Sequence, residues 1–101
     1  MSIYEFRTSL TVSGGAASSV SLPINGGLMQ QLLILANTST TVFRASIVDS
    51  RNITRRRYGF STGELNDVGS FMPLVNRYTL NITNASVNDT FQIVMAVQDG
   101  R

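Results

Sequence analysis

The sequence contains no cysteine, histidine, tryptophan or lysine among its 101 residues. Without Cys there is no disulfide or thiolate chemistry, and without both Cys and His the usual metal-ligand sets are missing. A Ser or Thr hydroxyl has no ordinary activating base when His and Lys are absent. The few carboxylates are scattered and show no EF-hand-like spacing. We therefore expect no catalytic residues, no cofactor and no metal site, and predict that the protein is not an enzyme.

Charge is also scarce, because only 14% of the residues are charged and the formal net charge is +2. All eight basic residues are arginines. Average soluble proteins have about 25% charged residues, so much of this surface must consist of Ser, Thr, Asn and Gln. The small net charge disfavours a general nucleic-acid binder or a ligand of acidic membranes.

Long apolar runs are missing as well. A run such as Leu32 to Ala36, which none in the sequence exceeds in length, is far too short to cross a bilayer, so we expect no membrane association. The chain opens at Met1 directly into a strand pattern, without the basic and apolar regions of a secretory signal. From this pattern we expect synthesis in a cytoplasm.

What the sequence does contain is alternation of apolar and polar residues with a period of two. Tyr4, Phe6 and Leu10 share one parity, and Glu5 and Arg7 take the other, as in a half-buried strand. About seven to nine such segments follow one another, separated by residues that favour turns. This pattern predicts an all-β protein with one domain spanning residues 1–101, an antiparallel β-sandwich of jelly-roll or immunoglobulin-like type.

The segment Leu28 to Leu35 departs from simple alternation, because apolar side chains occupy both parities in its second half. We predict a strand that is covered on both faces, with a second subunit as one of the covers. The candidate residues for self-association are Leu28, Met29, Leu33 and Leu35.

Three consecutive arginines lie in a predicted strand from Asn52 to Phe60. Arg55 and Arg57 project from one face of such a strand, and Arg56 from the other. Three interpretations remain open: contact with carboxylates of a partner protein, contact with phosphates, or a solvated edge that discourages pairing with other strands. The candidate partner contacts are Tyr4, Arg7, Arg55 and Arg57.

The segment from Ser61 to Ser70 is the least patterned and is predicted to be a loop. Exposed loops on rigid scaffolds often carry binding sites. The candidate ligand-binding residues at this loop are Tyr58, Phe60, Glu64, Asn66 and Asp67.

The segment from Arg77 to Phe91 resembles the end of many immunoglobulin-like and bacterial jelly-roll modules. It shows a Tyr-Thr-Leu-x-Ile strand from Tyr78, an Asn-Ala-Ser turn at Asn84, and then Asp89 and an aromatic residue at the start of the last strand. True immunoglobulin domains also carry two cysteines and a core tryptophan, which this chain lacks.

As a whole, the chain resembles the small, cysteine-free, Ser/Thr/Asn/Gly-rich β-sandwich cement or decoration proteins of tailed-bacteriophage capsids. This resemblance is one of size and composition. It implies a virion structural protein, made in the host cytoplasm and located on the capsid surface. Such a protein would bridge neighbouring major capsid subunits as a homo-oligomer, with a trimer as the expected copy number. The alternative is a tail, fibre or adhesion module that binds host-surface glycan.

Overall fold

The computed structural model describes residues 3–12, 17–22, 26–74, 77–86 and 88–98, and within them the protein is all-β. The nine strands in these residues are β1 (Ile3–Thr11), β2 (Ala17–Leu22), β3 (Leu28–Ala36), β4 (Val42–Asp49), β5 (Thr54–Arg57), β6 (Ser61–Thr62), β7 (Glu64–Pro73), β8 (Tyr78–Thr83) and β9 (Thr90–Gln98). The prediction of an all-β fold is confirmed. No helix suited to crossing a membrane occurs in this part of the chain.

The strands form two antiparallel sheets. Sheet A has the order β1-β9-β3-β7, with the short β6 beside β7, and sheet B has the order β2-β8-β4-β5. β4 belongs to both sheets, because its first residues, Val42 and Phe43, pair with β6 while the rest of the strand pairs with β8 and β5. The chain therefore passes from one sheet to the other within a single strand.

The pairing of the strands is nested. β1 pairs with β9, β2 with β8, β3 with β7, and β4 with β5. This nesting is the connectivity of a jelly roll, in which the chain folds back on itself and is wound into two four-stranded sheets. Of the two sandwich types that the sequence left open, jelly-roll and immunoglobulin-like, the topology therefore matches the jelly roll.

The core lies between the two sheets and is built from the inward parity of each strand. β8 and β9 show the alternation most clearly, since every second residue from Tyr78 to Ile82 and from Phe91 to Val97 is buried. Phe43 of β4 meets Phe91 of β9 edge to face, with ring centroids 4.9 Å apart and an interplanar angle of 63°. This contact joins the strand that connects the sheets to a central strand of sheet A.

An irregularity in β3 explains its unusual sequence pattern. Between Met29 and Gln31 the register of β3 shifts against both neighbours: β3 has one extra residue relative to β9, and β7 has two extra residues relative to β3. Met29 faces the core before the bulge, and Leu32 and Ile34 face it afterwards. The apolar residues of the other parity, Leu33 and Leu35, consequently lie on the outer face of sheet A.

The predicted loop from Ser61 to Ser70 is wrong, because the chain there forms β6, a tight turn at Gly63, and the first part of β7. Gly63 has φ +75°, and a Cβ at this position would lie 2.7 Å from the backbone oxygen of Ser39. Leu65 is buried, whereas Glu64 and Asn66 are exposed. In this segment most residues are polar or glycine, as in a loop, because one face of the strand is exposed. The alternation of buried and exposed residues was therefore not recognisable in the sequence.

Candidate interaction surface

The outer face of sheet A presents apolar side chains across its two central strands. Strand register aligns its residues in rows across β1, β9, β3 and β7. The first row contains Ser9, Gln92, Leu35 and Glu64; the second contains Arg7, Val94, Leu33 and Asn66; the third contains Glu5, Ala96, Gln31 and Val68. We call the apolar members of these rows, together with Leu28 one step further along β3, the apolar face: Leu28, Leu33, Leu35, Val68, Val94 and Ala96.

The apolar face is open to solvent in the single chain. Val68 is 65% exposed and Leu35 is 37% exposed, and the other four side chains are partly exposed. Near the end of β1, Ile3 adds a further apolar side chain on the same parity, 63% exposed. An exposed apolar patch bordered by polar groups is typical of an interaction site.

Polar and charged side chains border the apolar face on both sides. On β1, the Arg7 guanidinium donates to the Glu5 carboxylate at 2.8 Å, and both side chains are largely exposed. On the β7 side, Asn66 and Glu64 lie in neighbouring rows. Gln31 of β3 lies inside the face, between Ala96 and Val68, and its amide donates to the Asn66 side-chain oxygen at 2.9 Å. The face therefore has a mainly apolar centre that includes one amide pair, and charged groups at its margins, as many protein–protein interfaces have.

The size of the face suits a specific contact. Four strands spaced about 4.8 Å apart, each rising about 3.3 Å per residue, make a surface of roughly 15 by 30 Å over nine residues. A standard interface buries about 800 Å² of accessible surface per partner. One sheet face of this size, with its protruding side chains, is of that order.

Three of the four predicted self-association residues, Leu28, Leu33 and Leu35, lie on the apolar face. The fourth, Met29, does not: its exposed fraction is 0% and it belongs to the core. The bulge that follows Met29 reverses the parity of β3, and a sequence pattern does not reveal such a reversal.

The predicted partner contacts are distributed over two separate strands. Tyr4 and Arg7 lie on β1, which forms an open edge of sheet A because, among the described strands, it pairs only with β9. Tyr4 is 45% exposed although it has the inward parity. Arg55 and Arg57 lie on β5, at the edge of sheet B. The four residues therefore do not form one surface.

Arg55 has a local structural role at the turn between β4 and β5. Its Nε donates to the Asp49 carboxylate at 2.8 Å, and the backbone N–H groups of Arg51 and Ile53 donate to the same side chain at 2.9 and 3.0 Å. Asn52 completes the turn with φ 64°. The hydrogen bond from the Ile53 N–H contributes most to lowering the pKa of Asp49, and burial opposes it.

A second polar cluster lies between the two sheets where β5 and β7 face each other; we call Arg56, Tyr58 and Asp67 the intersheet clamp. The Tyr58 hydroxyl donates to Asp67 Oδ2 at 2.6 Å, and the Arg56 guanidinium donates to the same oxygen at 3.2 Å. Burial, and then the hydrogen bond to Asp67, raise the pKa of Tyr58 well above its ordinary value. The clamp ties sheet B to sheet A through side chains.

The residues predicted to bind a ligand are not brought together by the fold. Tyr58 and Asp67 bind each other in the intersheet clamp, whereas Glu64 and Asn66 point outward from sheet A. Phe60 lies elsewhere, 64% exposed, with the Arg44 guanidinium carbon 4.9 Å from its ring centroid. Because the segment is a strand, alternate residues go to opposite faces and no common pocket results.

Sequence reasoning missed three members of the apolar face: Val68, Val94 and Ala96. The signal for two of them is present in the sequence, since Ile93 to Val97 is an unbroken apolar run and thus has apolar residues on both parities. Val68 lies in the segment predicted as a loop. No group of three or more acidic side chains suited to a metal ion occurs among the described residues.

No known protein family matches the chain, and no curated protein matches it significantly.

Proposed function

We propose that the protein is a virion structural protein, a capsid decoration protein of a tailed bacteriophage, that associates with copies of itself through the apolar face. The observation that carries this proposal is the apolar face itself: Leu33, Leu35, Val94 and Ala96 are neighbours on the outer face of sheet A, Val68 lies beyond Gln31, and all five are at least partly open to solvent. A decoration protein acts by mass action, since a ligand that binds only the assembled shell stabilises it without chemistry.

A second copy of this chain is the occupant that the surface chemistry favours. When two copies pack face to face about a two-fold axis parallel to the strands, β1 of one copy lies over β7 of the other. Because this axis keeps each row at the same height, Arg7 on β1 then lies opposite Asn66 and one row from Glu64 on β7, so one pair of opposite charge can meet at the rim. The apolar centres meet each other, as an isologous contact requires.

A two-fold contact of this kind produces a dimer, whereas the resemblance to decoration proteins leads us to expect a trimer. A trimer would need a heterologous contact, in which the apolar face of one copy meets a different surface of the next. We keep the homo-oligomer as the proposal. The copy number is read directly from the mass of the particle in solution.

The open edge of β1 is the proposed contact with the shell. Ile3 and Tyr4 are exposed apolar side chains at its first residues, and β1 has unpaired backbone groups along its outer side. An edge strand of this type can pair with a strand of a partner, here the major capsid protein. Arg55 is left out of this contact because Asp49 holds it.

The test of the proposed function is binding to capsid shells of the encoding virus that lack the protein. Wild-type protein should cosediment with the shells at a fixed stoichiometry and raise their melting temperature. A Tyr4→Asp variant should lose binding, and Ser21→Asp, an exposed change on sheet B, should not. Failure of the wild-type protein to bind such shells would overturn the proposal.

The alternative was glycan binding through the segment from Ser61 to Ser70. It loses its structural basis because that segment forms β6 and part of β7, and alternate side chains of a strand point to opposite faces of the sheet.

A further inference from the structure

We infer that the outer face of sheet B carries a binding site for a sulfated saccharide, built around Arg44 and Arg57. This site is on the opposite side of the sandwich from the apolar face, and the inference does not depend on the proposed function.

The two arginines lie on one face of neighbouring strands. Arg57 on β5 pairs with Ser46 on β4, and Arg44 is two residues before Ser46 on the same parity. The Tyr58 N–H donates to the Ala45 oxygen at 3.0 Å, so the chain after β5 continues alongside β4. Arg44 and Arg57 are therefore diagonal neighbours, whose Cβ atoms are expected roughly 7–8 Å apart. Two side chains of this length can reach a single oxyanion between them.

A groove lies between these side chains. It has a volume of about 240 Å³ and is lined by Arg44, Ala45, Ser46, Arg57 and Thr83. Thr83 pairs with Arg44 across the sheet and places a hydroxyl at its edge. Typical pockets for drug-sized ligands are about 300–1,000 Å³, so this groove suits a group of roughly monosaccharide size.

The charges in the groove are not balanced by the protein. Within the described residues, Arg7, Arg51, Arg55 and Arg56 form ion pairs with carboxylates, whereas Arg44 and Arg57 form none. Two guanidiniums without a carboxylate partner are therefore left on one face, and that of Arg44 lies over the Phe60 ring. A bound oxyanion supplies the missing negative charge and accepts the planar, two-pronged hydrogen bonds that arginine makes.

The surroundings of the groove favour a saccharide as the carrier of the oxyanion. The outward side chains of β2 and β8 next to it carry hydroxyl and amide groups: Ser19, Ser21, Thr79, Asn81 and Thr83. These groups can hydrogen-bond to sugar hydroxyls. Phe60 is exposed beside Arg44 and offers an aromatic surface to the C–H groups of a sugar ring.

Nucleic acid is the less favoured partner of this face. A backbone of phosphates is bound by many basic side chains along a track, and this face has two arginines within a chain of net charge +2. The titration therefore compares the affinity of the site for a sulfated saccharide with its affinity for an oligonucleotide.

The test is a titration followed by NMR of the backbone amides and arginine side chains. The probes are N-acetylglucosamine 6-sulfate, unsulfated N-acetylglucosamine, inorganic sulfate and a short single-stranded oligonucleotide. We expect the sulfated sugar to bind with a Kd of about 1 mM and to shift the signals of Arg44, Ser46, Arg57 and Thr83. Inorganic sulfate and the unsulfated sugar should each bind at least about tenfold more weakly, because each supplies one part of the recognition.

Three variants with the same change of charge localise the site. Arg44→Gln and Arg57→Gln should each weaken binding of the sulfated sugar about tenfold to a hundredfold, the usual effect of losing a charge-assisted hydrogen bond. Arg77→Gln is the matched control, since Arg77 is exposed and precedes β8 at the end opposite Thr83. It should leave binding unchanged. The amide spectrum of each variant shows directly whether it is folded.

Several results would overturn the inference. No shift up to about 10 mM sulfated sugar removes the site. An equal loss in Arg77→Gln shows only a general charge effect. Equal affinity for inorganic sulfate refutes the saccharide, and tighter binding of the oligonucleotide assigns the face to nucleic acid instead.

Discussion

Replacing Tyr58 with Phe tests the intersheet clamp, and with it the conclusion that Tyr58 and Asp67 stabilise the fold and do not bind a ligand. The substitution removes one hydroxyl, which donates to Asp67 Oδ2 at 2.6 Å, and keeps the packed ring. A hydrogen bond to a charged group contributes about 1.5–3 kcal/mol when buried. Because Tyr58 is only half-buried, we expect a loss of about 1–2 kcal/mol at neutral pH. For a domain of this size, each kcal/mol lowers Tm by roughly 4–8 °C.

The alkaline pH dependence makes the same test more specific. The pKa of Tyr58 is raised in the folded protein, so its contribution to stability is fully present below the unfolded pKa of about 10 and is lost as the pH rises above it. The chain has no Lys or Cys, the other side chains whose ordinary pKa values lie near this range. The wild type should therefore lose stability above about pH 10 more steeply than Tyr58→Phe.

The assay is urea unfolding of both proteins at a series of pH values from about 7 to 11. The difference in free energy of unfolding should be largest at neutral pH and decrease above about pH 10. Tyr4→Phe serves as the control, since Tyr4 is 45% exposed at the end of β1. Equal stability of wild type and Tyr58→Phe at pH 7, or a difference that does not change with pH, would refute the clamp.

Three further predictions concern the fold. Asp49→Asn should be less stable than wild type at pH 7. Because the pKa of Asp49 is lowered in the folded protein, its contribution to stability is lost as the pH falls below about 4, and thermal melts should show the difference between the two proteins shrinking there. A difference that stays constant with pH would contradict this. Phe43→Leu and Phe91→Leu should show a coupling of about 0.5–1.5 kcal/mol in a double-mutant cycle, and no coupling would mean that the rings do not touch. Gly26→Ala and Gly27→Ala each place an alanine at a positive φ, which costs about 1–2 kcal/mol. Only the Cβ of Gly27→Ala would also lie 2.7 Å from a backbone oxygen of β9. Urea unfolding should therefore show that Gly27→Ala is the less stable of the two variants.

The sequence predicts the strands of this protein well where one face is buried and the other is polar. β8 is an example, since Tyr78, Leu80 and Ile82 are buried and Thr79 and Asn81 between them are partly exposed, as the alternation requires. The strand order is a different matter, because β8 and β9 are consecutive in the chain but lie in different sheets. Alternation specifies which face is inside and carries no information about which strand is the neighbour.

The interaction surface could be predicted in part. The doubled apolar pattern of β3 pointed to Leu33 and Leu35, which lie on the apolar face. Met29 was misassigned because the bulge after it shifts the parity, and bulges have no reliable sequence signal when no glycine marks them. The ion pair between Arg55 and Asp49 could not be predicted from the alternation of residues either, since it depends on the geometry of the turn between β4 and β5.

The measurement that tests the central claim most directly is the mass of the protein in solution by sedimentation equilibrium, for wild type, Leu33→Glu and Ser21→Glu. Leu33→Glu puts a charge in the middle of the apolar face, and Ser21→Glu puts the same charge on an exposed position of sheet B. At about 10 μM, the wild type and Ser21→Glu should have the mass of an oligomer and Leu33→Glu that of a monomer. A monomeric wild-type protein, or an oligomer that Leu33→Glu leaves intact, would contradict the account.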